Sequence, residues 1–214
     1  MKKLILISAL GAASLLTTPA QAESTFTSPA IVGSTATARL DFSIVIPQVL
    51  FLRVGTSSGN AATDGTINGI AFTVPGANVG DGSVIAGGGG DLGAGAVTVR
   101  VYGNGGNISL NSATTGPLTT GVAGEEIPWS QISVAAAALA GTTAGFTNTA
   151  ITHPAFNLGG TGGAGTATTL TATNKVVRVE GQWTYSYLNT NAVAAGTYGT
   201  NARNGRVTYT ATQL

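Results

Sequence analysis

The residues that could do chemistry are few and widely spaced in this 214-residue chain. Its one histidine, His153, lies between Thr152 and Pro154, and no G-x-S-x-G sequence supplies a serine nucleophile for which it could act as base. A single histidine also needs other strong ligands to converge on it before it can hold zinc. We therefore expect His153 to be a structural or surface residue and the chain not to be an enzyme.

The acidic residues suggest two further sites, and each has a simpler explanation. Glu125 and Glu126 are adjacent, and because neighbouring strand residues point to opposite faces, such a pair is badly placed for catalysis. A solvated turn before the strand predicted at Ile127–Val134 explains them better. Asp91 follows the glycine run Gly87–Gly90, as in a calcium-binding nonapeptide, but those sites need stacked repeats and this chain has one copy.

The remaining motifs do not indicate a phosphate-binding, redox or metal site. The run Gly87–Gly90 is followed by neither Lys-Ser/Thr nor a predicted helix, so it does not make a phosphate loop. Asp64, with Asn60 and Asn68, is explained by turn hydrogen bonds. The chain has no cysteine, which excludes thiol chemistry, disulfides and cysteine metal sites. We predict no catalytic, cofactor-binding or metal-binding residue and no cofactor.

One aromatic stripe could bind a sugar. Trp183, Tyr185 and Tyr187 recur at period two, and such side chains can stack on a sugar ring. The same stripe is what the core of a β-sandwich requires. We favour the core, because the opposite face of the segment carries charged residues such as Arg178 and Glu180.

Strands must position all of these residues, because no segment shows sustained helical periodicity. Val177–Tyr187 alternates apolar or glycine residues with polar ones, which predicts a half-buried antiparallel strand. Leu40–Ile46 alternates in the same way until Pro47 interrupts it. Further strands are predicted at Val49–Val54, Ile67–Val74, Ala96–Tyr102, Ile108–Ser112, Ile127–Val134, Thr149–Asn157, Thr166–Thr173 and Arg206–Ala211.

The connections between these strands are rich in glycine. Gly103–Asn107 has the residues of a hairpin turn. Gly76–Gly95 and Gly159–Gly165 are either linkers between domains or long surface loops within one domain. We favour loops, because neither flanking piece looks like a self-sufficient domain. The alanine-rich Gln131–Gly141 is predicted to end in one helical turn. The pattern predicts an all-β fold, an Ig-like antiparallel β-sandwich with Greek-key or jelly-roll connections.

The N-terminus has the three parts of a secretory signal. Lys2 and Lys3 precede an apolar run at Leu4–Leu16, and Ala20–Ala22 places small residues at a cleavage site. The run is shorter than the ~20 residues that span a bilayer, so we expect cleavage and no retained anchor. We predict a signal peptide at 1–22 and export to the periplasm, cell surface or extracellular space, typical of a Gram-negative bacterium.

The low charge of the chain indicates which classes of partner to expect. Only 8% of residues are charged, against about 25% in ordinary globular proteins, and the formal charge is close to zero. Such a chain does not attract nucleic acid over long range, whereas weak repulsion between copies favours self-association. We expect a domain at 39–214 after an extension at 23–38. That extension either donates a strand to a neighbouring copy, although Pro29 interrupts it, or is a disordered spacer.

The C-terminal segment resembles a known group of secreted proteins. Ala195–Tyr198 is a Gly-x-Tyr turn that leads into the alternating strand Gly205–Thr210, and Leu40–Phe42 and Val97–Leu110 lie where that group places comparable elements. This organisation is similar to that of Gram-negative pilin-type and spore-coat-U-like β-sandwich proteins. The resemblance implies a structural surface protein in a fimbria, fibre or biofilm matrix. The alternatives are a monomeric binding module for carbohydrate or protein and a hydrolase with an unrecognised site.

Overall fold

The computed structural model describes residues 23–59 and 62–214, so the signal predicted at 1–22 lies outside the described part of the chain. The chain divides into two units, one that ends at Ile46 and one that runs from Pro47 to Leu214. Residues 23–46 contain no helix or strand, and all of them are exposed.

The first part of this exposed segment folds back on itself. Arg39 Nε lies 2.7 Å from Glu23 Oε2, and Thr25 Oγ1 donates to the carbonyl of Thr37 at 2.8 Å. The strand predicted at Leu40–Ile46 does not form within this chain, so that prediction is wrong for the described structure. The alternation is present, but no neighbouring strand pairs with the segment, and a strand requires a partner for its main-chain groups.

The Pro47–Leu214 unit is built from short strands joined by loops and by three 3-10 turns at Gly76–Asn78, Trp129–Gln131 and Asn201–Arg203. Its strands are β1 (Leu50–Val54), β2 (Ile70–Ala71), β3 (Ile85–Ala86), β4 (Gly88–Gly89), β5 (Ala96–Gly103), β6 (Ile108–Thr114), β7 (Leu118–Thr119), β8 (Glu126–Ile127), β9 (Ile132–Ala137), β10 (Thr147–Asn148), β11 (Gly163–Ala164), β12 (Thr168–Leu170), β13 (Val177–Tyr187) and β14 (Thr208–Gln213).

Two main sheets contain most of these strands. In the first, β5 lies between β1 and β13, and β13 also pairs with β3, β9 and β10. In the second, β6 lies at the centre and pairs with β11, β12 and β14. All of these pairs are antiparallel except β10 with β13. The all-β prediction is confirmed, with a sandwich-like arrangement of antiparallel sheets; β2–β4 and β7–β8 form two further small pairs.

The core lies between the two main sheets. Val97 and Val99 of β5 and Leu110 of β6 are buried there together with Trp183 and Tyr185 of β13. Apolar residues at every second position of β5 and β13 point to one side because side chains alternate across a strand. The period-two pattern of Val177–Tyr187 therefore predicted both the strand and its core face.

The predicted hairpin at Gly103–Asn107 is wrong, although its turn chemistry is correct. β5 before the turn belongs to the first sheet, and β6 after it belongs to the second, so the two strands do not pair. The turn is held by Asn104, whose amide donates to the carbonyl of Pro47 and accepts from the N–H of Val49, both at 2.8 Å. Turn residues specify that the chain reverses, but not which strand it then joins.

The strand predicted at Ile127–Val134 is interrupted. The 3-10 turn at Trp129–Gln131 divides its residues between β8 and β9. The loops predicted at Gly76–Gly95 and Gly159–Gly165 contain the two-residue strands β3, β4 and β11.

Three further predicted elements differ from the structure. Ile67–Val74 contributes only the two residues of β2, and Thr149–Asn157 contributes a single bridge between Ala155 and Thr166. The helical turn predicted at the end of Gln131–Gly141 is absent, because Ile132–Ala137 forms β9 and pairs with β13 over its full length. Tertiary pairing overrides the helix propensity of alanine there.

The outer face of the first sheet is partly covered, which the polar pattern of β13 did not predict. Arg100 of β5 and Glu180 of β13 form a buried ion pair on this face, with Arg100 Nη2 2.7 Å from Glu180 Oε2. The loop before β10 lies over the pair. Thr143 donates its N–H to Glu180, and the guanidinium of Arg100 lies 4.6 Å from the ring centre of Phe146.

Candidate functional site

One edge of the first sheet is open along β1. The N–H of Gly55 donates to the carbonyl of Thr98 at 2.7 Å, so the main-chain groups of Phe51, Arg53 and Gly55 point towards β5. The main-chain groups of the alternate residues, 50, 52 and 54, therefore point away from the sheet. Within the described part of the chain, these outward groups have no hydrogen-bond partner.

The second sheet has a matching open edge along β14. The N–H of Leu214 donates to the carbonyl of Asn107 at 2.9 Å, which places the main-chain groups of residues 208, 210 and 212 towards β6. Those of 209, 211 and 213 point outwards and pair with nothing in residues 23–59 and 62–214. Unpaired edges of this kind are templates for another strand.

The two open edges lie next to each other on the same side of the sandwich. β1 lies alongside β14, and the side-chain amides of Gln48 and Gln213 meet at 2.8 Å. Leu52 of β1 and Ala211 of β14 point into the core from this side but are only half-buried. The gap between the sheets is therefore apolar and partly uncovered there.

The opposite side of the sandwich is closed. Ile151 and Pro154 are buried there, and Trp183 Nε1 donates to the carbonyl of Ile151 at 2.7 Å. The bridge between Ala155 and Thr166 attaches this stretch to the second sheet. The chain's own residues thus fill one side of the sandwich and leave the other side open.

The segment before β1, residues 40–46, carries exposed apolar side chains at every second position. Leu40, Phe42, Ile44 and Ile46 alternate with Asp41, Ser43 and Val45, and each of the four is between 60% and 85% exposed. No hydrogen bond to residues 40–46 occurs within the described residues. An exposed apolar stripe this large is unusual for a soluble monomer.

His153 belongs to an aromatic cluster. Its ring centre lies 4.6 Å from that of Trp183 and 4.7 Å from that of Phe156, in edge-on contacts. Its Nε2 lies 2.7 Å from the hydroxyl of Tyr209, which lies 2.8 Å from the hydroxyl of Tyr185. The sequence identified His153 as structural or exposed, but the 56 residues between it and Tyr209 concealed this hydrogen-bonded chain.

Burial of His153 makes the folding stability depend on pH. Desolvation lowers the pKa of His153 from 6.5 to about 4, so between these values the unfolded chain binds a proton that the folded chain does not. Stability therefore falls as the pH falls through this window, by about 2 kcal/mol between pH 6.5 and pH 5. Urea unfolding at pH 7, 6 and 5 measures this loss. The variant His153→Phe should show a flatter profile; a wild-type midpoint unchanged from pH 7 to pH 5 would show that the ring is solvated.

The paired carboxylates lie at the start of β8, next to the turn that was predicted for them. Glu126 begins β8 and is exposed, whereas Glu125 lies in the turn before it and accepts a hydrogen bond from Thr120 Oγ1. The hydroxyl of Thr120 thereby holds Glu125 against β7, and the two carboxylates of the pair have different surroundings.

The other acidic candidates have structural roles. Asp91 accepts from the N–H of Thr98 at 2.8 Å and lies 3.2 Å from Arg53 Nη2, and Asp64 accepts from the N–H of Thr66 at 2.8 Å. Asn60, predicted in the same turn as Asp64, lies outside the described residues. Over residues 23–59 and 62–214, no group of three or more His, Cys, Asp or Glu side chains is arranged to hold a metal ion.

The aromatic stripe of β13 belongs to the core, as expected. Trp183 is fully buried, and Tyr185 and Tyr187 are 8% and 5% exposed. Trp129 is also buried, and its Nε1 donates to the carbonyl of Gly116 at 2.7 Å. Neither tryptophan offers the exposed platform that sugar binding by the monomer would need.

No protein-family model matches this chain, and none of the curated proteins or solved structures matches it either. The resemblance to pilin-type proteins therefore stays a prediction. Of the helices formed by the described residues, none has the length and hydrophobicity to cross a membrane.

Proposed function

We propose that this chain is a structural subunit of an extracytoplasmic assembly, a fimbria, fibre or biofilm matrix, in which residues 40–46 of one copy add as a strand to the open side of the next. The observation that carries the proposal is the match between an exposed alternating segment and an apolar gap flanked by the unpaired edges of β1 and β14. Main-chain hydrogen bonds supply affinity in such strand addition, and alternate side chains supply specificity.

The apolar side chains of the segment are sufficient to drive this contact. Full burial of a large aliphatic or aromatic side chain contributes roughly 1.5–3 kcal/mol. Leu40, Phe42, Ile44 and Ile46 therefore offer on the order of 6–12 kcal/mol before the cost of ordering the segment. Asp41 and Ser43 lie between them in the alternation, so their polar groups stay on the solvent face of the added strand.

The position of the segment in the chain favours open-ended growth. Pro47 lacks an N–H and ends the ladder after Ile46, and the chain then enters β1. Each copy therefore carries a donor segment and an acceptor edge that are different surfaces. A contact between different surfaces produces filaments when the rotation that it generates does not close into a ring.

The geometry favours residues 40–46 over residues 23–38 as the donor. The side chains and carbonyls of residues 23–39 already bond to one another, as at Thr25 with Thr37 and Glu23 with Arg39. Phe26, Ile31 and Val32 are exposed but do not alternate. In this proposal residues 23–38 act as a spacer, and the signal predicted at 1–22 delivers the chain to the compartment where assembly occurs.

A single charge in the segment should abolish assembly. Ile44→Asp places a carboxylate where an apolar side chain must enter the gap, whereas the matched control Ser43→Asp adds the same charge on the solvent face. We expect the mature wild-type protein and Ser43→Asp to form large species in sedimentation and negative-stain microscopy, and Ile44→Asp to stay monomeric. Equal assembly by all three proteins would contradict the proposal.

Engineered cysteines can locate the acceptor, because the chain has none of its own. Ile44→Cys protein mixed with Ala211→Cys protein should form a disulfide-linked dimer of the two copies on mild oxidation. The control mixture of Ile44→Cys with Val134→Cys tests the other edge of the first sheet, β9, and should stay unlinked. Linkage only in the control mixture would place the segment on β9 and refute the acceptor proposed here.

A further inference from the structure

A cavity of about 260 Å³ opens beside the edge strand β9, in the Pro47–Leu214 unit. Its wall is formed mainly by Trp129, Ile132, Val134, Phe156, Leu158 and His153. A closed apolar cavity of about 150 Å³ accepts benzene, and this larger cavity, which is open to solvent, has room for a single ring with a short substituent. No charged side chain is among its lining residues, which disfavours an ionic ligand.

The polar atom that His153 can offer to this cavity is Nδ1. Its Nε2 is bonded to the hydroxyl of Tyr209. Nδ1 has no hydrogen-bond partner within the described residues. Among those residues, Thr114 Oγ1 is the only fully buried side-chain atom without a partner, so Nδ1 is not fully buried. Nδ1 therefore keeps access to solvent on a ring that lines the cavity. The indole N–H of Trp129 is not available to a ligand, because it donates to the carbonyl of Gly116.

The hydrogen-bonded chain behind His153 determines whether Nδ1 carries a proton. If Nε2 were protonated, it would donate to Tyr209, Tyr209 would donate to Tyr185, and the buried Tyr185 O–H would find no acceptor in the described chain. In the reverse direction Tyr185 donates to Tyr209 and Tyr209 donates to Nε2, so both hydroxyl protons are used. Buried polar groups are almost always hydrogen-bonded, so the reverse direction is favoured and Nδ1 carries the proton.

The burial of the ring keeps His153 neutral at physiological pH. Desolvation lowers the pKa of His153 to about 4, and the titratable groups that face the ring, Tyr185 and Tyr209, have pKa values raised by their own burial. The ring thus presents one fixed N–H donor and no charge to the cavity. A donor of this kind pairs with a carbonyl, ether or hydroxyl oxygen.

We propose that this cavity is a binding site for a small uncharged molecule with an apolar ring and one acceptor oxygen, the ring packing among Trp129, Val134 and Phe156 and the oxygen accepting from Nδ1–H of His153. Apolar pockets with one or two placed polar groups are the usual form of small-molecule sites. None of the residues that line the cavity belongs to β1 or β14, although Tyr209 of β14 bonds to His153 behind the cavity.

A matched pair of ligands tests the proposal. Acetophenone and α-methylstyrene have nearly the same shape, but only acetophenone has an acceptor oxygen. In NMR titrations that follow the indole N–H of Trp129 and the methyl groups of Ile132 and Leu158, we expect acetophenone to bind roughly 5-fold more tightly, as one neutral hydrogen bond provides. Equal affinities would refute the role of His153, and the absence of shifts with either ligand would refute the site.

Two variants and a spectrum of His153 serve as the controls. Val134→Trp fills the cavity, and it should abolish binding of both ligands. Ala135→Trp, the same change on the exposed neighbouring position, should leave binding intact. A long-range proton–nitrogen spectrum of His153 should show the proton on Nδ1. A proton on Nε2, or undiminished binding to Val134→Trp, would overturn the proposal.

Discussion

Replacing Glu180 with glutamine should lower the free energy of unfolding by about 3–5 kcal/mol, because it removes the negative charge that balances the buried guanidinium of Arg100. The side chains of Arg100 and Glu180 are 5% and 0% exposed. Burial alone would raise the pKa of Glu180, but the hydrogen bonds from Thr143 and the guanidinium of Arg100 outweigh it and hold the pKa below its ordinary value. The carboxylate is therefore the form that the fold requires.

Urea unfolding with a double-mutant cycle measures the pair. The single variants Arg100→Met and Glu180→Leu should each be strongly destabilised, whereas the double variant should recover most of the loss, because well-packed apolar residues can replace a buried ion pair. Glu23→Gln, which breaks the exposed pair with Arg39, is the matched control and should leave the unfolding midpoint unchanged. Additive losses in the cycle would show that the two charges do not interact.

Truncating Trp183 to alanine should cost about 3–5 kcal/mol, the usual range for a large aromatic side chain removed from a core. The indole is fully buried, its ring centre lies 5.1 Å from that of Tyr209, and its N–H is the donor to the carbonyl of Ile151. The truncation would leave a cavity between the two sheets and an unpaired buried carbonyl, which adds to the loss.

Two comparison variants separate these contributions. Trp183→Phe keeps most of the ring volume but removes the N–H, so its smaller loss should report mainly on the hydrogen bond to Ile151. Thr184→Ala changes the next residue of β13, on the opposite face of the sheet, and should have a much smaller effect. A stability loss for Trp183→Ala no larger than that for Thr184→Ala would show that the indole is not a core anchor.

Period-two alternation of apolar and polar residues predicts that one face of a strand is buried, but it does not predict which sheet the strand joins. Val177–Tyr187 and Leu40–Ile46 have the same period-two pattern, and only the first forms a strand within the described chain. β13 finds β5 and β9 as neighbours, whereas residues 40–46 have no neighbour there. Pairing partners are set by the path of the whole chain, so a pattern within a few residues could not distinguish the two cases.

The polar clusters were less predictable than the strands. Arg100 and Glu180 are 80 residues apart, and the loop that covers them carries no signal beyond its small and polar residues. The prediction that His153 is not catalytic rests on the lack of partners with suitable motifs and stays a prediction. Its contact with Tyr209 depends on the second sheet, whose order the sequence did not reveal.

The order of strands in the two sheets also limits how this chain can fold. Val97 pairs with Trp183, and Ile108 of β6 pairs with Gln213 near the end of the chain. Pairings over such long stretches have a high entropic cost of loop closure and are typical of domains that fold in milliseconds to seconds. During synthesis from the N-terminus, the second sheet cannot be completed until residues 208–213 emerge. Until that moment β6 has an unsatisfied edge, and the nascent chain is at its most vulnerable to misassociation.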